Sequence, residues 1–170
     1  MIRIATFDEF EPKLLAKFSA TLYQAFGVGC ELTGMAQIPS GLSEPFDAIA
    51  LMEQAPQVRA YQDDKVLYLT NRKLKDRALP SGTAPTVGVA RYSRDRALIT
   101  SHPKKNLEEG SKLAARLALH HVGHLWELHH CLDPRCAMYP TWTPSYANGD
   151  SIFCTFCREK SEQKIRLAKS

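Results

Sequence analysis

Apolar and polar positions alternate at the start of the chain, where Ile2 and Ile4, with Thr6 beyond them, predict a short strand. After Asp8–Lys13 the period changes. Leu14, Phe18, Leu22 and Phe26 recur in steps of four, which places them on one face of a helix, and Gly27 stops it. Val28–Gly34 reads as a second strand, Ile38–Phe46 as a Pro/Ser/Gly loop and Phe46–Ala55 as a short helix. Lys65–Asn71 is the clearest strand, and Leu79–Thr86 is another loop. Val87–Ser101 contains two strand-like runs around the polar Ser93–Arg96, as in a hairpin or an edge strand with its return. Leu107–His130 predicts one long helix with acidic residues near its start. From Cys131 onward proline, glycine and cysteine make a loop-rich segment, and Arg158–Lys169 closes the chain as a charged helix.

This order, without repeats, low-complexity tracts or a linker, predicts one α/β or α+β domain over residues 1–170. An apolar content of 44% and a charged content of 24% are ordinary globular values and exclude wholesale disorder. The net charge of +4 is mild, and no block of five like charges suggests a nucleic-acid tail. No run of apolar residues is long enough for a membrane span. The first residues lack the apolar core and cleavage site of a signal peptide, so a cytoplasmic location is expected; a monomer is expected as well. In a reducing compartment clustered cysteines point to metal rather than to disulfides.

The candidate chemistry is concentrated in Leu119–Pro140, which holds five of the six histidines. Residues four apart on a helix differ by only about 40° in direction, so His120 and His124 share a face and can clamp a zinc ion. A third ligand must come from where the chain turns back, and His130 and His129 compete for that role. An isolated histidine on an apolar helix is usually a satisfied core residue. Four cysteines at fixed offsets tilt the balance toward metal here. Cys131 and Cys136, then Cys154 and Cys157, form two paired knuckles suited to a closed tetrahedral zinc site. Cys30 stands apart and reads as a small buried apolar residue. A zinc-ribbon nucleic-acid module is the competing reading, drawn from Arg158, Lys160, Lys164, Arg166 and Lys169. Glu159 and Glu162 interrupt those charges, and the reading leaves the histidine spacing unexplained.

Taken together, "HHVGHLWELHHC", "CAM" and "CTFC" resemble the archaemetzincin family of zinc metallopeptidases, whose pattern is H-E-x-x-H-x-x-G-x-x-H-C, a C-x-M Met-turn and C-x-x-C. The resemblance implies a metzincin-like domain: a mixed sheet with backing helices, an active-site helix and a zinc-stabilised C-terminal part. It implies two zinc ions. His120, His124 and His130 would hold the catalytic one, and Cys131, Cys136, Cys154 and Cys157 the structural one. Met138 would be the Met-turn residue beneath the imidazoles, and Val87–Ser101 would supply the edge along which a peptide or protein substrate lies.

Two positions depart from the pattern. His121 stands at the general-base glutamate and Glu127 at the glycine where the active-site helix ends. The glutamate of such an enzyme takes a proton from water and returns it to the leaving amine, and an imidazole beside a dication is disfavoured in its protonated form. At 127 either the turn relaxes, or the helix runs on and His129 becomes the third ligand. Glu127, three residues after His124, is also a candidate displaced base. The expected function is therefore zinc-dependent peptide hydrolysis, impaired or altered at position 121. A catalytically silent peptide-binding protein is the alternative.

Overall fold

From the N-terminus the chain forms β1 (Ile2–Thr6), α1 (Pro12–Phe26), β2 (Cys30–Met35), β3 (Phe46–Asp47), α2 (Ala48–Gln54), β4 (Lys65–Thr70), β5 (Leu74–Lys75), β6 (Gly88–Ala90), β7 (Arg96–Thr100), α3 (Leu107–Leu125) and α4 (Thr155–Lys169). The computed structural model describes residues 1–76, 86–100, 107–140 and 153–169. The main sheet has the order β2-β1-β4-β7-β6. Its first four strands are parallel and β6 is antiparallel to β7, so the sheet is mixed and β6 is an edge.

The apolar runs of β1, β4 and β7 follow from burial on both faces, as parallel strands require. Ile2, Ile4, Leu67, Leu69, Ala97 and Ile99 pack into one core with α1, α3 and α4. Ala5, Phe7, Val66, Tyr68 and Leu98 pack into a second core with α2. The strands thus sort their alternate residues between two helical layers. The α/β expectation holds.

The N-terminal ends of β1 and β4 are tied by charge. Arg3 donates to Asp64 at 2.6 Å and to Glu31 at 2.7 Å, and Asp64 also accepts the amides of Ala60 and Tyr61. Burial alone would raise the Asp64 carboxyl, but Arg3 and these two amides outweigh it and hold it at about 2.

Several boundaries differ from the sequence reading. Phe46 and Asp47 form a two-residue strand paired with β5, and the Asp47 side chain then caps α2 by accepting from Ala50 N at 2.8 Å. The last helix starts at Thr155, three residues early, so Cys157 lies in its first turn. The long helix stops at Leu125 rather than at His130, for the reason given below. The loop at 79–85, most of the segment between Cys136 and Cys154, and the side chains of Glu108 and Glu109 lie outside the described residues. Among the described residues no helix is long and apolar enough to cross a membrane.

Candidate metal centre

His120 and His124 project from the last two turns of α3 onto one side, with their Nε2 atoms 3.1 Å apart. Each ring is fixed from behind. His120 Nδ1 lies 2.9 Å from Ala137 O and His124 Nδ1 lies 2.8 Å from Leu128 O. A carbonyl can only accept, so both Nδ1 atoms carry the proton and both Nε2 atoms turn lone pairs inward, the tautomer that binds a metal. Burial, ahead of a smaller contribution from the neighbouring imidazoles, pushes His120 down to about 3 and lowers His124 as well. The neutral, ligating form is therefore favoured before any metal arrives.

The third histidine is delivered by a tight turn. Glu127 N bonds His124 O at 3.1 Å and Leu128 N bonds Gly123 O at 3.0 Å, the paired 5→2 and 6→1 bonds of a Schellman motif. Its left-handed position is Glu127, with φ 61°. A side chain there costs about 1–2 kcal/mol. The turn does not relax, and the helix does not run on. His130 joins the other two, with one donor nitrogen of each histidine within 4.8 Å of the others. His129 faces elsewhere. It stacks on Tyr92 with ring centres 4.8 Å apart and bonds the Tyr92 hydroxyl at 2.8 Å.

Glu127 is held on three sides. Its Oε1 accepts from Ser93 Oγ at 2.7 Å, its Oε2 pairs with Lys164 of α4, and its carbonyl accepts from Tyr92. Lys164 first, then Ser93, lowers the Glu127 carboxyl below its ordinary range. A carboxylate committed to these two partners is poorly placed to act as a displaced base.

His121 points to the sheet. A methyl group on Gly88 of β6 would stand 2.6 Å from His121 Nε2 and 2.9 Å from Leu98 O, so the imidazole sits against backbone that only glycine leaves open. Both ring nitrogens are buried without a hydrogen-bond partner among the described residues. Burial drives its pKa far down. It is not part of the converging trio.

Met138 is fully buried and presses on α3 at Gly123, where a Cβ would lie 2.5 Å from its sulfur. The segment carrying it is anchored by Cys131 N bonding Met138 O at 2.9 Å and by His120 on the preceding carbonyl. Arg116 of α3 donates to Cys136 O at 2.9 Å and to Pro134 O at 3.2 Å, binding the cysteine knuckle to the same helix.

All four knuckle cysteines come together, each with its sulfur within 4.8 Å of the other three, and none is in a disulfide. Cys131 and Cys154 stand 3.7 Å apart. Four sulfurs around zinc at about 2.3 Å would be separated by about 3.8 Å, and imidazole nitrogens at about 2.0 Å by about 3.3 Å. Both donor sets therefore fit the ion. Burial raises the Cys136 and Cys157 thiols, whereas Cys154, also raised by burial, is brought below its usual range by the Cys157 amide and the neighbouring thiols. Cys30 is only partly buried, with its thiol near Val28 O, and burial pushes it up to about 11.

Solved structures share this arrangement of elements. An archaemetzincin from Methanopyrus kandleri superposes with a TM-score of 0.79 at 22% identity, over 97% of this chain and 94% of that one. The chain has the archaemetzincin fold. An archaemetzincin from Archaeoglobus fulgidus complexed with malonate gives a TM-score of 0.74 at 16% identity, covering 94% and 98% of the two chains. A zinc-dependent peptidase from Methanocorpusculum labreanum gives 0.77 at 16% identity, covering 95% and 100%. No family model matches the sequence, and no curated protein matches it. Nothing in the sequence signals that Tyr92, Ser93 and Lys164, the last counted there only among the basic residues of the C-terminal helix, reach Glu127 from far along the chain. Gly123, an isolated glycine inside a helical pattern, was the one available signal for the close approach of Met138.

Proposed function

We propose that this chain is a zinc-dependent metallopeptidase of archaemetzincin type whose hydrolytic step is impaired. The convergence of His120, His124 and His130 carries the reading, supported by the fold shared with a zinc-dependent peptidase. In this reading His120, His124 and His130 hold the catalytic zinc, and the four cysteines hold a second, structural one. Zinc, when bound, acidifies water and polarises the scissile carbonyl. The two carbonyls behind His120 and His124 keep their lone pairs inward. An extended peptide or protein segment pairs with the outer edge of β6, the last strand of the sheet among the described residues, and Met138 floors the site as a Met-turn residue.

The impairment rests on His121. A general base must exchange its proton with the attacking water and then with the leaving amine. The His121 nitrogens are buried against Gly88, and burial disfavours the protonated state that the cycle needs. The same observation favours a second reading, a pseudo-peptidase that binds peptides without cutting them. Free thiols throughout suit a reducing compartment such as the cytoplasm, and nothing in the reading requires a second copy of the chain.

The test is a broad peptide library incubated with zinc-loaded protein. Slow cleavage that disappears in His124→Ala is the expected result. Peptides that bind but stay intact would transfer the assignment to the second reading, and a library neither bound nor cut would remove both.

A further inference from the structure

Glu127 sits in a left-handed turn built for glycine, yet the turn is intact and every polar group of Glu127 is engaged. Its partners come from two separate elements. The turn between β6 and β7 supplies Tyr92 and Ser93, and Ser93 also donates its amide to His124 O at 3.0 Å. The opposite side is closed by Lys164 of α4, the cationic partner. Ser93 is itself left-handed, with φ 57°, so two such residues face each other across one hydroxyl–carboxylate bond. Lys65, lying over Trp126 at 5.0 Å, adds a second positive charge near the carboxylate.

We propose that Glu127 is the positioning residue of the third histidine, and that its clamp by Ser93 and Lys164 replaces the conformational freedom a glycine would give. The turn at Glu127 is what returns the chain so that His130 reaches His120 and His124. With glycine the left-handed conformation is intrinsically accessible, and no side-chain partner is needed. With glutamate the same conformation is disfavoured and is held by the carboxylate's contacts. Lys164 is therefore necessary only because residue 127 is a glutamate. The inference rests on the zinc reading for its metal readout but not for its backbone readout.

A double-mutant cycle tests it. Zinc affinity at the histidines is measured by chelator competition, with the cysteine centre already filled, in wild type, Lys164→Ala, Glu127→Gly and the double variant. Lys164→Ala is expected to weaken zinc by about tenfold, within the range for outer partners of metal ligands. Glu127→Gly should bind at least as tightly as wild type, and adding Lys164→Ala to it should change the affinity less than about twofold. Lys164→Arg should restore most of the loss. Amide exchange at Leu128, whose N–H closes the turn on Gly123 O, supplies a readout without metal. It should accelerate in Lys164→Ala and not in the double variant relative to Glu127→Gly. Failure of wild type to bind zinc at the histidines would overturn the metal reading, whereas the exchange result judges the clamp on its own. Equal effects of Lys164→Ala in both backgrounds, or none in either, would overturn the clamp.

Discussion

His121 and Gly88 are fitted to one another: the imidazole of α3 occupies the space a side chain on β6 would need, with Nε2 2.6 Å from the position of an added Cβ. On the proposed reading, the position expected to carry the general base is thereby a packing contact between α3 and the edge strand β6. Gly88→Ala should destabilise the protein by about 1–3 kcal/mol through overpacking. Removing the ring in His121→Ala should relieve only part of that, because Leu98 O remains 2.9 Å away. Denaturant unfolding of the two single variants and the double variant measures both effects.

Restoring the two departures should restore chemistry. His121→Glu combined with Glu127→Gly is expected to raise turnover of a cleavable fluorogenic peptide by about a hundredfold, at the lower end of what a positioned base supplies. A double variant that binds zinc normally but cuts no faster than wild type would show that position 121 is not the limiting defect.

The two candidate third ligands are separable by metal content. On the two-zinc reading, His130→Ala should lose the ion proposed for the histidines, whereas His129→Ala should keep it, since His129 bonds and stacks with Tyr92 instead. Elemental analysis per chain reads the difference as one zinc against two.

Acid should weaken the sheet through Asp64. Its folded pKa of about 2 lies below the ordinary 3.8, so the unfolded chain binds the proton more readily. The stabilisation is complete above the unfolded value and is lost as pH falls from about 4 through about 2. Asp64→Asn should flatten this part of the stability–pH profile. At neutral pH, Asp64→Ala should also lower stability, because Arg3 keeps only Glu31 and the amides of Ala60 and Tyr61 lose their acceptor.

Much of the fold was legible because its signals are local. The four-residue spacing from Leu14 to Phe26, the Gly27 stop and the apolar run of β4 depend only on neighbours along the chain. The histidine spacing was legible for the same reason, because helix geometry converts the four-residue interval from His120 to His124 into a shared face, and the cysteines were legible as two closely spaced pairs. The two-residue strand at Phe46 was not, since its partner Leu74 lies far away and its only local signal is a helix cap. The end of α3 was hidden by its chemistry. A glutamate at 127 carries no sequence signature of a left-handed turn, and the contacts that hold it come from Tyr92, Ser93 and Lys164. His121 could be identified as a missing carboxylate, but its burial against Gly88 depends on where an edge strand runs.

Cys157 and Lys164 are seven residues apart on α4, close to two full helical turns, so a thiol of the cysteine cluster and the cation that holds Glu127 share one side of a single helix. His130 and Cys131 are also consecutive residues. Damage to the sulfurs would therefore be felt at the imidazoles by two routes, through the peptide bond and along α4. Loss of function after thiol oxidation or alkylation would then be poor evidence that a cysteine takes part in the reaction, because the injury would lie in the scaffold while the symptom emerged at the other centre.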